Sequence, residues 1–264
     1  ARRAAREPRD YVVIERAEGG GRFSALAGPF TSYSRCLTTG PDRTVTEVID
    51  YQLAPLVWRV PFGLLYRRAL RRAPARGHRP FWAPPETTDA LAATAIGALC
   101  TLAVVFGYLG TLLTQTITFA ADELGASKAD QGATLAAVRL GVIGALALTA
   151  LADRRGRRRV LLAAATVACV VSALGAAAPG LVALGVSQAV VRGLATAGAV
   201  LITIIAAEEM PAGSRAFAIS LLTMAGALGV GMCLWALPLA DIGLPLYPVA
   251  DTAEEPCDTP PPEP

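Results

Sequence analysis

Asp153, Arg154, Gly156, Arg157, Arg158 and Arg159 set one acid and a cluster of guanidinium groups around a single glycine, between the apolar runs 133–151 and 160–178. Their chemistry is electrostatic: Gly156 permits a tight reversal of the chain, and the charges beside it make the turn strongly basic. A basic turn between two spans also holds that turn on the cytoplasmic side of a membrane.

Further polar residues interrupt otherwise apolar runs. Arg192 falls in the run 181–207, about 16 Å from its start at 1.5 Å per residue. A charge at that depth in a bilayer faces a bundle interior or a water-filled cavity; bonding to carbonyls of a neighbouring helix is the structural alternative. Arg139 lies nearer the end of its run and is read as snorkelling to the outer interface rather than touching a solute. Tyr108, Thr111, Gln115 and Thr118 are spaced 3, 4 and 3 apart, which puts them on one helical face. Lipid is a poor partner for that stripe, so it should face the bundle. Glu208, Glu209, Pro211 and Arg215 form a polar turn between the fourth and fifth apolar runs. No Asp or Glu lies deep within any run. No nucleophile elbow, phosphate-binding loop or metal-ligand cluster is present, so no enzymatic activity, cofactor or metal is expected.

Apolar helices must position these groups. Hydrophobic residues make up 53% of the 264-residue chain and charged ones 17%, with a mean hydropathy of +0.47; that balance suits a multi-spanning membrane protein. Five apolar segments are expected to be helices, at 90–120, 133–151, 160–178, 181–207 and 216–239, each about as long as, or longer than, the ~20 residues that cross a ~30 Å hydrocarbon core. The second connection and the N-terminal third are rich in Arg, the first connection is net acidic, the fourth is mixed, and no basic residue follows Arg215. The charge bias predicts a cytoplasmic N-terminus and an external C-terminus. Residues 244–264, rich in Pro, Asp and Glu, read as a disordered tail.

Residues 1–85 differ. A strand is expected at 44–53 and its partner at 30–38, with Gly40, Pro41 and Asp42 as the turn. A helix follows over 56–72, with Pro55 near its start and a kink at Pro61. The Arg-rich stretch around that helix lacks any recognition motif, so no nucleic-acid partner is expected. The five Cys residues show no paired spacing, and His78 stands alone.

The loop Asp153, Arg154, Gly156, Arg157, Arg158, Arg159, placed between the second and third spans, resembles the signature loop of the major facilitator superfamily of secondary transporters. The family usually has Gly four residues before the acid; here Thr149 stands there. Val190, Val191, Arg192 and Gly193, then Ala197 and Gly198, resemble the family's fourth-span motif. Glu208, Glu209, Pro211 and Arg215 are similar to the cytoplasmic loop of its sugar-porter-like members. The hairpin-then-helix order of the N-terminal region resembles the C-terminal end of a START-like, helix-grip domain. The resemblances imply an all-α membrane bundle: five transmembrane helices of a partial major-facilitator fold (86–243), after a small cytoplasmic α+β remnant (1–85). They imply a piece of a plasma-membrane carrier of small solutes working by alternating access, with a coupling proton in many members. Its partners would be the small-molecule substrate, the lipid bilayer and a missing C-terminal half. They imply a conformational role for Asp153 and Gly156, and a transport path with Tyr108, Thr111, Gln115, Thr118, Arg139 and Arg192 as candidates. Two other readings stay open: a membrane-anchored ligand sensor built on the START-like portion, and an inactive truncated remnant.

Overall fold

A computed structural model describes residues 7–40, 44–72, 79–123 and 127–241, with side chains omitted for 118–123 and 237–241. Pro41, Asp42, His78 and the tail 244–264 lie outside the described residues.

Four antiparallel strands form a meander in the order β1 (Ile14–Gly19), β2 (Arg22–Ala27), β3 (Phe30–Thr39), β4 (Val45–Leu53). The β3–β4 pair matches the expected hairpin within a residue at each end, running from Thr39 opposite Val45 to Phe30 opposite Leu53. The first hairpin was not anticipated. Gly20 and Gly21 form its two-residue loop with φ of 59° and 78°, the positive values such a loop requires. Its strand β1 is disguised because an inward position carries a charge. Glu15 is buried, and Arg35 Nη1 reaches its Oε2 at 2.6 Å with both side chains fully enclosed. Tyr33 donates to Glu15 Oε1 at 2.5 Å, and Arg35 Nε pairs with Glu47 at 2.6 Å. The Arg35 guanidinium also stacks 4.5 Å from the Phe23 ring centre.

Helix α1 (Arg59–Arg71) starts later than expected. Pro61 is its third residue, in the first turn, where an amide has no partner within the helix, so Pro61 causes no kink. Ala69, Leu70, Phe62 and Tyr66 of α1 pack on Val13, Phe30, Tyr33 and Leu53 of the sheet region. Tyr66 meets Phe30 edge-on at 5.5 Å and Trp82 at 5.2 Å.

Burial pushes the Tyr66 phenol up to about 12. Burial, and then the hydrogen bond to Glu15, holds Tyr33 well above the usual phenol range. Both phenols keep their protons where the unfolded chain, titrating near ~10, loses them, so this stability is intact below pH ~10 and falls as pH rises beyond it. The urea midpoint of the sheet's near-ultraviolet signal should drop between pH 9 and about 11. Tyr66→Phe should flatten part of that drop.

Five long helices follow: α2 (Ala90–Glu123), α3 (Lys128–Arg155), α4 (Arg157–Gly175), α5 (Leu181–Glu209) and α6 (Arg215–Asp241). All five are long and apolar enough to cross a membrane, which is compatible with a multi-pass membrane protein. Helices α2, α3, α5 and α6 each contain one of the expected segments, and α4 ends at Gly175, three residues short of the expected end. Ser127 caps α3 through a reciprocal bond with Asp130, the arrangement that satisfies free amides at a helix start. Helix α5 is central, packing on α2, α3 and α4, while α6 packs on α2. The shared core joins Leu99 and Phe106 of α2, Leu161 of α4, Leu201 and Ile202 of α5, and Leu222 of α6. Outward faces remain apolar: Leu140, Ile143, Leu146, Leu174, Val182 and Trp235 are all exposed. Large apolar surfaces of this kind suit lipid better than water.

Glycines set the helix spacing at two crossings. A Cβ on Gly229 of α6 would stand 2.0 Å from the Val104 carbonyl oxygen of α2, and one on Gly141 of α3 would stand 2.2 Å from that of Ala189 of α5. Backbone therefore meets backbone at both crossings. Gly231 of α6 takes no part in such a crossing, with nothing within 4 Å of its Cβ position.

Candidate functional site

The basic turn is a one-residue reversal. Helix α3 ends at Arg155, α4 begins at Arg157, and Gly156 between them has φ 95°, a backbone angle that disfavours side chains. The Gly156 amide donates to the Ala152 carbonyl at 2.9 Å, and Ala152 is fully buried; the reversal is thereby fixed to the core. Arg157 Nε donates to Asp153 Oδ1 at 3.0 Å, and its Nη1 pairs with Glu208 Oε1 at the end of α5. Three helix ends are thus joined through one guanidinium. Arg154, Arg158 and Arg159 are exposed and have no partner among the described residues. The pairs of Arg157 face solvent, where ion pairs add little stability. Their value is that they can form or break as helix ends move.

In the following connection Glu209 is exposed, and the Pro211 carbonyl accepts from the Ser214 amide at 2.9 Å within a short 3-10 turn. Arg215 Nε donates to the Met210 carbonyl at 3.4 Å. Sequence reasoning missed Ser214 and Glu86. Ser214 is fully buried; its Oγ accepts from the Glu86 amide at 3.0 Å and donates to the Glu86 carbonyl at 3.3 Å. This clamp joins the approach to α2 with the start of α6. A lone Glu beside prolines carries no pattern that would reveal it.

Arg192 lies in a cleft of about 410 Å³ between α2, α5 and α6, with Gly107, Gly110, Thr111, Thr196 and Thr223 among its lining residues. Its Nη1 donates to the Gly110 carbonyl of α2, as the structural alternative envisaged. A guanidinium carries five N–H donors, and no other partner for them is found among the described residues. No described carboxylate lines the cleft.

The expected polar stripe divides. Thr111 lines the cleft, though its hydroxyl bonds back to Gly107 of its own helix at 2.9 Å. Tyr108 packs against Leu109, Ala168 and Val191. Gln115 is half-buried and lies outside the cleft, and the side chain of Thr118 is outside the described residues. Arg139 does not join Arg192: it is exposed, beside exposed Leu140, with no partner among the described residues.

A second cavity, about 530 Å³, opens where the sheet region meets the bundle. Trp58, Phe62, Tyr66, Trp82, Phe217 and Met224 are among its lining residues, and its walls are largely apolar.

No family model, no curated protein and no solved structure matches this chain.

Proposed function

We propose that the chain is the first part of a secondary transporter of major-facilitator type, carrying a small anionic solute by alternating access. The observation that carries this reading is Arg192: a mid-helix guanidinium in a cleft, holding one carbonyl and leaving N–H donors for a ligand. A carboxylate or phosphate on the solute would match that fork, and the absence of a carboxylate among the described lining residues leaves the charge for the ligand to balance. The Asp153–Arg157–Glu208 pairs support a conformational role for the reversal, since they tie the ends of α3, α4 and α5 where one bundle would rock against another. A second bundle of that fold would face this cleft.

A thermal-shift screen of small anions against the purified protein tests the reading. A binding anion should raise the melting midpoint of wild type, and Arg192→Gln should lose that shift while leaving the unliganded midpoint nearly unchanged. Anion shifts identical in both forms would remove Arg192 from the site.

The proposed topology puts the α3–α4 and α5–α6 connections in the cytoplasm of a plasma-membrane protein and the start of α3 outside. Impermeant thiol reagent applied to intact cells should label Lys128→Cys and spare Glu209→Cys; both positions are exposed. The reverse pattern would invert the assignment.

The aromatic cavity favours a second reading, a membrane-anchored sensor of an apolar ligand. An apolar compound whose thermal shift survives Arg192→Gln and disappears in Trp82→Ala would point to it.

A further inference from the structure

Helix α1 presents an outer face with no described partner. Leu56 and Val57 just before the helix, and Val60 and Leu64 on it, are 72%, 67%, 81% and 71% exposed, while Phe62, Tyr66 and Leu70 of the inner face pack into the sheet region. Toward its C-terminal end Arg67, Arg68, Arg71 and Arg72 line a shallow hollow together with Leu64. None of their four guanidinium groups has a hydrogen-bond or ion-pair partner among the described residues, and all four residues are exposed.

The depth of this helix is set by Trp58. Its Nε1 donates to the Gly97 carbonyl of α2 at 2.9 Å and lies 3.2 Å from Thr101 Oγ1. Gly97 and Thr101 stand about 10 and 16 Å along α2 from Ala90. The apolar run of α2, residues 90–120, is about 46 Å long, and a centred ~30 Å hydrocarbon core leaves about 8 Å beyond each edge. The Trp58 anchor at the start of α1 is thus held about 2–8 Å inside the hydrocarbon edge, a range that overlaps the ~5–10 Å at which interfacial helices ride. Exposed Leu56, Val57, Val60 and Leu64 then meet acyl chains, and the arginine end reaches toward the headgroups.

We propose that α1 is an interfacial helix whose arginine cluster binds anionic phospholipid headgroups of the bilayer. Two features select this occupant: the charge of the hollow, which complements a phosphate-bearing surface, and the fixed depth of the apolar face. The cytoplasmic leaflet, where the proposed topology puts this end of α2, carries the negative surface. The proposal rests on the five helices crossing a membrane and is independent of transport.

The test uses the full chain in nanodiscs. An environment-sensitive fluorophore is attached at Val60→Cys in a cysteine-free background, and for comparison at exposed Cys169 of α4 with the other cysteines changed to Ser. Lipids brominated high on the acyl chain should quench the probe at position 60, and lipids brominated deep should quench the probe at Cys169. The melting midpoint should rise as phosphatidylglycerol replaces phosphatidylcholine. That rise should vanish when Arg67, Arg68, Arg71 and Arg72 are all changed to Gln, and in about 1 M salt, where the Debye length falls to about 3 Å. Quenching at Cys169 without quenching at position 60 would put α1 in water and overturn the proposal alone. Quenching at neither would overturn the membrane reading and the proposal together. A midpoint indifferent to phosphatidylglycerol, or a rise that the quadruple variant keeps, would overturn headgroup binding by the arginines.

Discussion

Arg35→Ala should lower the stability of the sheet region by about 3–5 kcal/mol, the cost of leaving a buried charge without its partner. Glu15 would stay fully enclosed, facing only the Tyr33 hydroxyl and the Arg9 amide, and the stacking of the guanidinium on Phe23 would go with it. The double change Arg35→Met with Glu15→Leu should recover most of the loss, because it removes both charges and fills their volume with apolar groups. Urea denaturation of wild type, Arg35→Ala and the double variant reads this directly. An Arg35→Ala protein as stable as wild type would mean that water reaches Glu15 and that the pair is not a buried one.

The second large effect is expected at the crossing of α3 and α5. Gly141→Val puts branched carbon where the Ala189 carbonyl oxygen already stands 2.2 Å from the Cβ position, and a Cβ on Gly193 of α5 would in turn stand 2.5 Å from the Gly141 carbonyl oxygen. Overpacking costs about 1–3 kcal/mol where side chains can yield. Here backbone must move on both helices, so the loss should reach or exceed the upper end. The protein should extract into detergent poorly and as aggregate. Gly144→Val, three residues further along the same helix, meets nothing within 4 Å and should behave as wild type in the same size-exclusion assay. Equal damage from both substitutions would place the cause in helix propensity or insertion rather than in the crossing.

How far the chain could be read depended on whether the informative pattern was local. The helices α2 to α6 were legible because an apolar run of sufficient length has few ways to satisfy its backbone other than by coiling on itself. Their ends were less so: α3 begins at Lys128, several residues before the apolar run, because the Ser127–Asp130 cap carries the helix into polar sequence. The β3–β4 hairpin was legible from alternation. The β1–β2 hairpin was not, although Gly19, Gly20 and Gly21 mark its turn, because Glu15 at an inward position breaks the alternation that defines a half-buried strand. Its partner Arg35 lies 20 residues away, and nothing local shows that the two charges neutralise each other. Pro61 read as a kink because its distance from the helix start was misjudged; three residues decide whether a proline amide is needed at all.

The candidate site divides in the same way. Gly156 between two helices and the charges around it were visible in the sequence, since a one-residue reversal needs a glycine and its neighbours are fixed by chain continuity. That Arg157, and not Arg154, Arg158 or Arg159, joins the helix ends could not be read, because Glu208 is 51 residues away. The Arg192 bond to Gly110 spans 82 residues, and the Glu86–Ser214 clamp spans 128. Hydropathy and helical periodicity, both local, determined by themselves that there are five apolar helices and which residues share a face of each. Only the tertiary structure decided which faces meet, because helix rotation and crossing follow from backbone contacts at Gly107, Gly141, Gly193 and Gly229. Those contacts are made between segments far apart in the chain, and they alone bring Arg192, Gly110 and Thr111 to one cleft while leaving Arg139 outside it.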